Sequence, residues 1–210
     1  AAAAWDGTVD ISWYDPAQTE YTIDTPAKLA GLAALVNGMA DPAAKAIVGD
    51  RSYLVSKKVD NVMLVGAGGG NVFDTVYTGG VDFAYKTIYL TADLDMGGRK
   101  AADGSWTGPN WTPIGGKFPM KPQEASGDCL TLDTRFNGVL DGQGHTIYNL
   151  YCDRYAAKGF PYSMAVGVVG FLGGNADYAN GGNGEKTEAE FKTGWQPAVR
   201  NLVLGSGSIY

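Results

Sequence analysis

Short apolar segments alternate with glycine turns through the second half of the chain. The clearest unit spans residues 136–151 and reads FNGVLDGQGHTIYNLY, and related units occupy 87–98, 166–174 and 199–209. Repeated strand-and-turn units of this kind are typical of a β-solenoid, in which each coil stacks on the previous one. The pattern therefore predicts a mainly all-β protein of stacked parallel strands.

The first part of the chain predicts one helix among short strands. Residues 24–26, Asp-Thr-Pro, supply a capping side chain and a proline at the first helical position, and Asn-Gly at 37–38 ends the helix. Its apolar positions form one stripe: Leu29, Leu32, Ala33, Leu35 and Val36. We expect this amphipathic helix, residues 26–37, to cap the first coil. Residues 1–86 then form a cap region with decorating strands, and 87–210 form the coils of the same continuous domain.

Composition supports a turn-rich β protein and argues against some partners. Glycine supplies 31 of the 210 residues and only 18 % are charged, whereas a disordered chain has few aromatic residues and more charge. The formal net charge of −6 argues against a nucleic-acid partner, since phosphate binding needs a basic stripe. No apolar run reaches the roughly 18 residues that a membrane-spanning helix needs, so we predict no membrane insertion.

The two cysteines, Cys129 and Cys152, are spaced by about one coil of a solenoid. Stacked strands lie about 4.8 Å apart, which is close to the Cα separation that a disulfide needs. A bridge between adjacent coils is therefore one prediction for an oxidising compartment. Two buried free thiols are the alternative.

Five sequence blocks occur in the order found in a family of bacterial surface proteins: Leu90–Gly98, Trp111–Gly115, Phe136–Leu150, Gly167–Gly173 and Val199–Leu204. Together with the strand-and-helix opening at 5–37, they resemble the GLUG-motif-bearing right-handed β-helix proteins, which are adhesin-like. The resemblance implies a right-handed parallel β-helix with an N-terminal capping α-helix. It also implies an extracellular, cell-surface location and, because the shared residues are structural, no catalytic residue and no cofactor.

The leading hypothesis is an extracellular structural or adhesin-like module that displays loops. No helix or charged strand after Leu204 reads as a cover for the last coil, so we expect that end to self-assemble with other copies of the protein or to meet further domains of a longer chain. A host or cell-surface glycan or protein is the expected external partner. The alternatives are a carbohydrate-binding or carbohydrate-active β-helix protein and a non-catalytic segment of a larger surface peptidase.

Asp95 and Asp141 are the candidate ligand-binding carboxylates. Each follows a leucine and precedes a glycine turn, and regular coils would place the two on one face, two coils apart. A glycosidase needs two carboxylates across a sugar, whereas the alternative is that both side chains cap turns by accepting backbone N–H bonds. No metal site is predicted; calcium bound by Asp93, Asp95, Asp141 and the loop 174–185 is the alternative, although a complete calcium-loop motif is lacking.

Trp106 and Trp195 are the candidate aromatic ligand-binding residues, because both fall in predicted loops and such side chains stack on sugars. The alternative is that they pack loops onto the strands. His145, the only histidine, lies in a predicted tight turn, which favours local hydrogen bonding over catalysis. No His/Glu pair has metallopeptidase spacing, which argues against a zinc hydrolase.

Overall fold

The fold is known from a computed structural model. It describes residues 3–38, 41–49, 57–65, 71–78, 80–119, 131–153, 166–173 and 195–209.

Within these residues the chain forms helices α1 (Pro26–Asn37) and α2 (Pro42–Val48). The strands in chain order are β1 (Glu20–Ile23), β2 (Lys57–Val65), β3 (Asn71–Thr78), β4 (Thr87–Leu90), β5 (Leu94–Asp95), β6 (Arg99–Lys100), β7 (Trp106–Thr107), β8 (Gly116–Pro119), β9 (Thr131–Thr134), β10 (Val139–Asp141), β11 (Thr146–Tyr148), β12 (Tyr151–Cys152), β13 (Ala198–Arg200), β14 (Val203–Leu204) and β15 (Ser208–Ile209).

Three parallel sheets organise the described strands. The largest has the order β1-β4-β10-β13, the second has the order β14-β11-β5, and the third pairs β12 with β15. The chain passes from the first sheet to the second and third and then returns to the first, so strands from one passage form a layer. We use "layer" below for such a set: β4–β5, then β10–β12, then β13–β15.

The prediction of an all-β right-handed parallel β-helix is wrong. The described residues combine two helices with short strands and do not close a solenoid, so the architecture is mixed α/β. The physical reason is that inserted elements interrupt the strand-and-turn period. Helix α2 and the antiparallel pair β2–β3 lie between β1 and β4, and the pairs β6–β7 and β8–β9 lie between β5 and β10.

Helix α1 begins and ends where the sequence predicts. Thr25 caps it by accepting a hydrogen bond from the Lys28 backbone N–H at 3.3 Å, and Pro26 occupies the first turn, where its missing N–H is harmless. The helix is not a surface amphipathic helix, however, because its buried residues run all round it. Its leucines, Leu29, Leu32 and Leu35, are fully buried in the same core as Ile88 and Leu140 of the first sheet.

Gly31 allows α1 to approach the chain at Asp10 closely. A Cβ at position 31 would lie 1.9 Å from the Asp10 carbonyl oxygen, which also accepts a hydrogen bond from Trp13 Nε1 at 2.9 Å. The Asp10 N–H in turn donates to the Ala27 carbonyl at 2.9 Å. Any side chain here must push the backbone at Asp10 away and break these contacts.

We therefore expect Gly31→Ala to destabilise the protein by about 2 kcal/mol or more, as overpacking does. This reverses the usual sign, since alanine stabilises an unconstrained helix by up to about 1 kcal/mol relative to glycine. Urea unfolding measures the change. Gly104→Ala is the control, because it meets no atom within 4 Å and carries only the backbone cost of a φ of +88°. An unchanged or raised stability for Gly31→Ala would contradict the close approach.

Candidate functional site

The two candidate carboxylates lie in different sheets. Asp95 ends β5 in the second sheet, whereas Asp141 ends β10 in the first sheet. Each accepts a hydrogen bond from the backbone N–H two residues further on, Gly97 for Asp95 and Gln143 for Asp141, both at 3.0 Å. This is the turn-capping geometry of aspartate. The structure therefore places each side chain at its own turn and does not bring the two together at a shared sugar site.

Each carboxylate also binds an asparagine of the next layer. Asn149 Nδ2 donates to Asp95 Oδ1 at 2.9 Å, and Asn201 Nδ2 donates to Asp141 Oδ1 at 3.0 Å. Both asparagines have a positive φ, 56° and 51° respectively. Asparagine is among the few residues that tolerate this left-handed conformation. The two Asp–Asn pairs therefore link successive layers at two different corners.

An arginine also contacts the aspartate of each Asp–Asn pair. Arg99 Nη2 lies 2.8 Å from Asp95 Oδ2, and Arg200 Nε lies 2.9 Å from Asp141 Oδ2. Partial burial opposes ionisation of Asp95, but hydrogen bonds from Arg99, Asn149 and Gly97 outweigh it and lower its pKa to about 2. The pKa of Asp141 is also lowered, because its hydrogen bonds likewise outweigh desolvation. A general acid of a glycosidase needs the opposite shift.

Asp93 and His145 meet at the surface of the turn before β11. Asp93 Oδ1 accepts a hydrogen bond from the Thr146 backbone N–H at 2.8 Å and lies 3.3 Å from His145 Nδ1. The first of these contacts is the main cause of a lowered pKa for Asp93. The backbone N–H of His145 donates to the Gly142 carbonyl at 2.8 Å, and this bond closes the tight turn that the sequence predicts. The geometry is that of local hydrogen bonding.

Trp106 lies in a strand, whereas Trp195 lies outside the helices and strands. Trp106 belongs to β7, in antiparallel pairing with β6, and is half-buried. Trp195 donates from Nε1 to the Asn137 carbonyl at 2.9 Å, and its ring centre lies 5.4 Å from that of Tyr85. These contacts anchor Trp195 to the segment before β10. Sugar binding by Trp106 or Trp195 stays a prediction.

The predicted disulfide and the alternative calcium site both fall partly outside the described residues. Cys152 is buried, and this burial raises the pKa of its thiol, while Cys129 lies outside the described residues. The pairing therefore stays a prediction. Among the residues that the structure describes, no group of three or more His, Cys, Asp or Glu side chains could hold a metal ion. The loop 174–185 lies outside the described residues, so calcium binding by this loop stays an alternative.

A groove of about 270 Å³ lies along β1, and the sequence analysis missed it. Its walls include Trp13, Gln18, Glu20, Thr22, Lys28 and Tyr89. Tyr89 Oη donates to Glu20 Oε1 at 3.2 Å, and Lys28 Nζ lies 2.8 Å from Asp24 Oδ1. Desolvation and the neighbouring Glu20 raise the pKa of Tyr89, so its hydroxyl remains a donor at neutral pH. The sequence signal for this face is the alternation of polar and larger apolar side chains in Glu-Tyr-Thr-Ile of β1, which matches the observed alternation of exposed and buried residues.

A second, more apolar pocket of about 190 Å³ lies between α1 and α2. Small side chains such as Ala33 and Ala44 line it together with Trp111. Asp41 also lines it, but this carboxylate caps α2 by accepting a hydrogen bond from the Ala43 N–H at 2.9 Å. Burial raises the pKa of Asp41. The cap gives the carboxylate a structural role of its own.

A comparison of the chain with protein-family models, curated proteins and solved structures found no match. The resemblance to GLUG-motif-bearing surface proteins therefore stays a prediction from the sequence blocks. No helix in the described part of the chain is both long enough and apolar enough to cross a bilayer.

We expect Asp95→Asn to lower the free energy of unfolding by about 1–3 kcal/mol at pH 7, because the arginine and asparagine lose a charged acceptor. The folded-state pKa of about 2 lies below the ordinary value of 3.8. Ionised Asp95 therefore stabilises the fold above about pH 4, and this contribution is lost as the pH falls from about 4 through 2. The difference between Asp95→Asn and wild type should shrink over that window.

Urea unfolding at pH 7 and at pH 2.5 measures both effects. Asp24→Asn is the matched control, since Asp24 is an exposed carboxylate whose ion pair is with Lys28, four residues further along the chain. Its substitution should change stability by less than about 0.5 kcal/mol. Equal stability of wild type and Asp95→Asn at pH 7 would contradict a structural role for the Asp95 cluster.

Proposed function

We propose that this chain is a structural or adhesin-like module of the extracellular cell surface, which displays loops from stacked parallel layers. The observation that carries the proposal is that the two candidate carboxylates are bound within the protein itself. Asp95 and Asp141 each accept hydrogen bonds from a backbone N–H, an asparagine and an arginine. These contacts occupy most of the roughly four acceptor positions of each carboxylate, which a ligand or a reacting proton would need.

The last layer supplies the surface for self-assembly in this proposal. Strands β13, β14 and β15 each stand at the end of their sheet within the described residues. Val203 and Leu204 of β14 are 47 % and 57 % exposed, the highest values among the large hydrophobic residues described. A strand edge with unpaired backbone groups and exposed apolar side chains is a template for pairing with another chain.

The partner that we propose for this edge is a second copy of the protein, joined through the same edge. The opposite edge of the second sheet is already occupied, because the Trp5 N–H donates to the Asp95 carbonyl of β5 at 2.8 Å. A head-to-tail arrangement would have to displace that contact. Pairing of β14 with its equivalent in a second copy leaves it intact and closes on itself as a two-fold dimer.

Light scattering after size-exclusion chromatography tests this proposal over a range of protein concentrations. We expect a concentration-dependent dimer, and we expect Leu204→Lys to raise its dissociation constant at least about tenfold, since a lysine at a strand edge opposes pairing. Ile47→Lys is the matched control, because Ile47 is a large exposed hydrophobic residue on α2, away from the edge. The dissociation constant of the Ile47→Lys dimer should equal that of the wild type.

A monomer at every concentration would overturn self-assembly through this edge. Equal weakening by Leu204→Lys and Ile47→Lys would also overturn it. Filaments in negative-stain microscopy would replace the two-fold dimer with a head-to-tail arrangement and would require loss of the Trp5 contact.

A further inference from the structure

The groove along β1 has rigid aromatic side chains. Trp13 is half-buried and fixed by its Nε1 hydrogen bond to the Asp10 carbonyl, and its ring centre lies 5.3 Å from that of Tyr21 in an edge-to-face contact. Tyr89 projects from β4 and is held by its hydroxyl contact with Glu20. Ordered aromatic rings of this kind bind ligands at a low cost in conformational entropy.

The remaining walls carry hydrogen-bonding groups of both kinds. Glu20 offers carboxylate acceptors, Lys28 offers ammonium donors, and the side chains of Gln18 and Thr22 can donate or accept. Glu20, Gln18 and Thr22 are exposed, so the hydrogen-bond donors and acceptors of their side chains are accessible from solvent. The described lining residues include one carboxylate and one ammonium, so their formal charges cancel.

The free edge of β1 adds backbone groups to the same groove. Within the described residues β1 is the terminal strand of the first sheet. The carbonyls of Thr19, just before β1, and of Ile23 accept hydrogen bonds from the backbone N–H of Thr87 in β4 and of Thr91 just after it. Because backbone groups alternate in direction along a parallel strand, those of Glu20 and Thr22 point away from β4. Their N–H and C=O groups are thus directed to the edge where the groove lies.

We propose that this groove binds a neutral saccharide, with one pyranose ring against Trp13 or Tyr89 and its hydroxyls bonded to Glu20, Lys28 and the β1 edge. A sugar presents an apolar ring face beside hydroxyls that both donate and accept, which matches this lining. The volume of about 270 Å³ suits a ligand of one or two rings. The inference does not rest on self-assembly. Trp106, Trp195, Asp95 and Asp141 are not among the described lining residues, and Asp141 is the register partner of Tyr89 on the neighbouring strand β10.

Two other ligand classes fit the groove less well. An extended peptide paired with β1 would need apolar pockets for its alternate side chains, and the lining residues that the structure describes include no aliphatic side chain. A phosphate or other small anion would meet the Glu20 carboxylate, and Asp24 already offsets the charge of Lys28, whose ammonium still has N–H donors left for a neutral hydroxyl. These classes are outcomes that would contradict the proposal.

Isothermal titration calorimetry with a fixed panel of neutral oligosaccharides tests the groove: cellotetraose, maltotetraose, mannotetraose, xylotetraose and N-acetylchitotetraose. We expect at least one to bind with a dissociation constant below about 10 mM. Glu20→Ala and Tyr89→Ala should each weaken that binding at least about tenfold. Both side chains lie on the outer face of the sheet, and urea unfolding of each variant checks that the fold is kept.

Tyr148→Ala is the matched control, because Tyr148 is a half-buried tyrosine on β11 of the second sheet. Its saccharide binding should equal that of the wild type. Absence of binding across the panel overturns the proposal, as does binding that Glu20→Ala and Tyr89→Ala leave unchanged. Tighter binding of inorganic phosphate or of a tetra-alanine peptide at the groove also overturns it. These titrations at one protein concentration fail or succeed independently of the dimer.

Discussion

The register of the first parallel sheet is the constraint on which the described fold depends. Tyr21, Ile88 and Leu140 are aligned across β1, β4 and β10 and are buried in one core. Side chains alternate between the two faces of a strand, so a slip by one residue would expose Leu140 and turn Asp141 toward the core. The Asp141 contacts with Asn201 and Arg200 form only in the observed register. Apolar burial and a polar link thus select the same alignment.

Local signals explain which elements the sequence could predict. Helix α1 has its cap, its proline and its terminating Asn-Gly within its own residues, so its bounds are predictable. The apolar alternation around β10 and β11 likewise marks strands. The all-β prediction failed because nothing local reveals that α1 is buried with the sheet or that antiparallel pairs such as β6–β7 interrupt the layers.

The same limit applies to the sites. The prediction of Asp95 and Asp141 on one face assumed coils of equal length, but the hairpins between β5 and β10 use up part of that spacing. What the spacing could not reveal is that each aspartate meets an asparagine of the following layer. The groove at β1 was missed for a related reason. It forms only when Tyr89 is brought beside Glu20 by the β1–β4 pairing, across 69 positions of chain.

The middle layer carries both halves of the polar link. Asn149 in it donates to the aspartate of the preceding layer, while Asp141 in it accepts from the following one. The two links stand at different corners, however: the register partner of Asp95 in the middle layer is Tyr148, and Gly142 follows Asp141 there as Asn201 follows Arg200. A second copy of the middle layer would therefore place Gly142 opposite Asp141 and Tyr148 opposite Asn149, and neither contact reproduces an Asp–Asn link. The chain is thus not a periodic array, and a layer gained by recombination would need compensating substitutions at both corners.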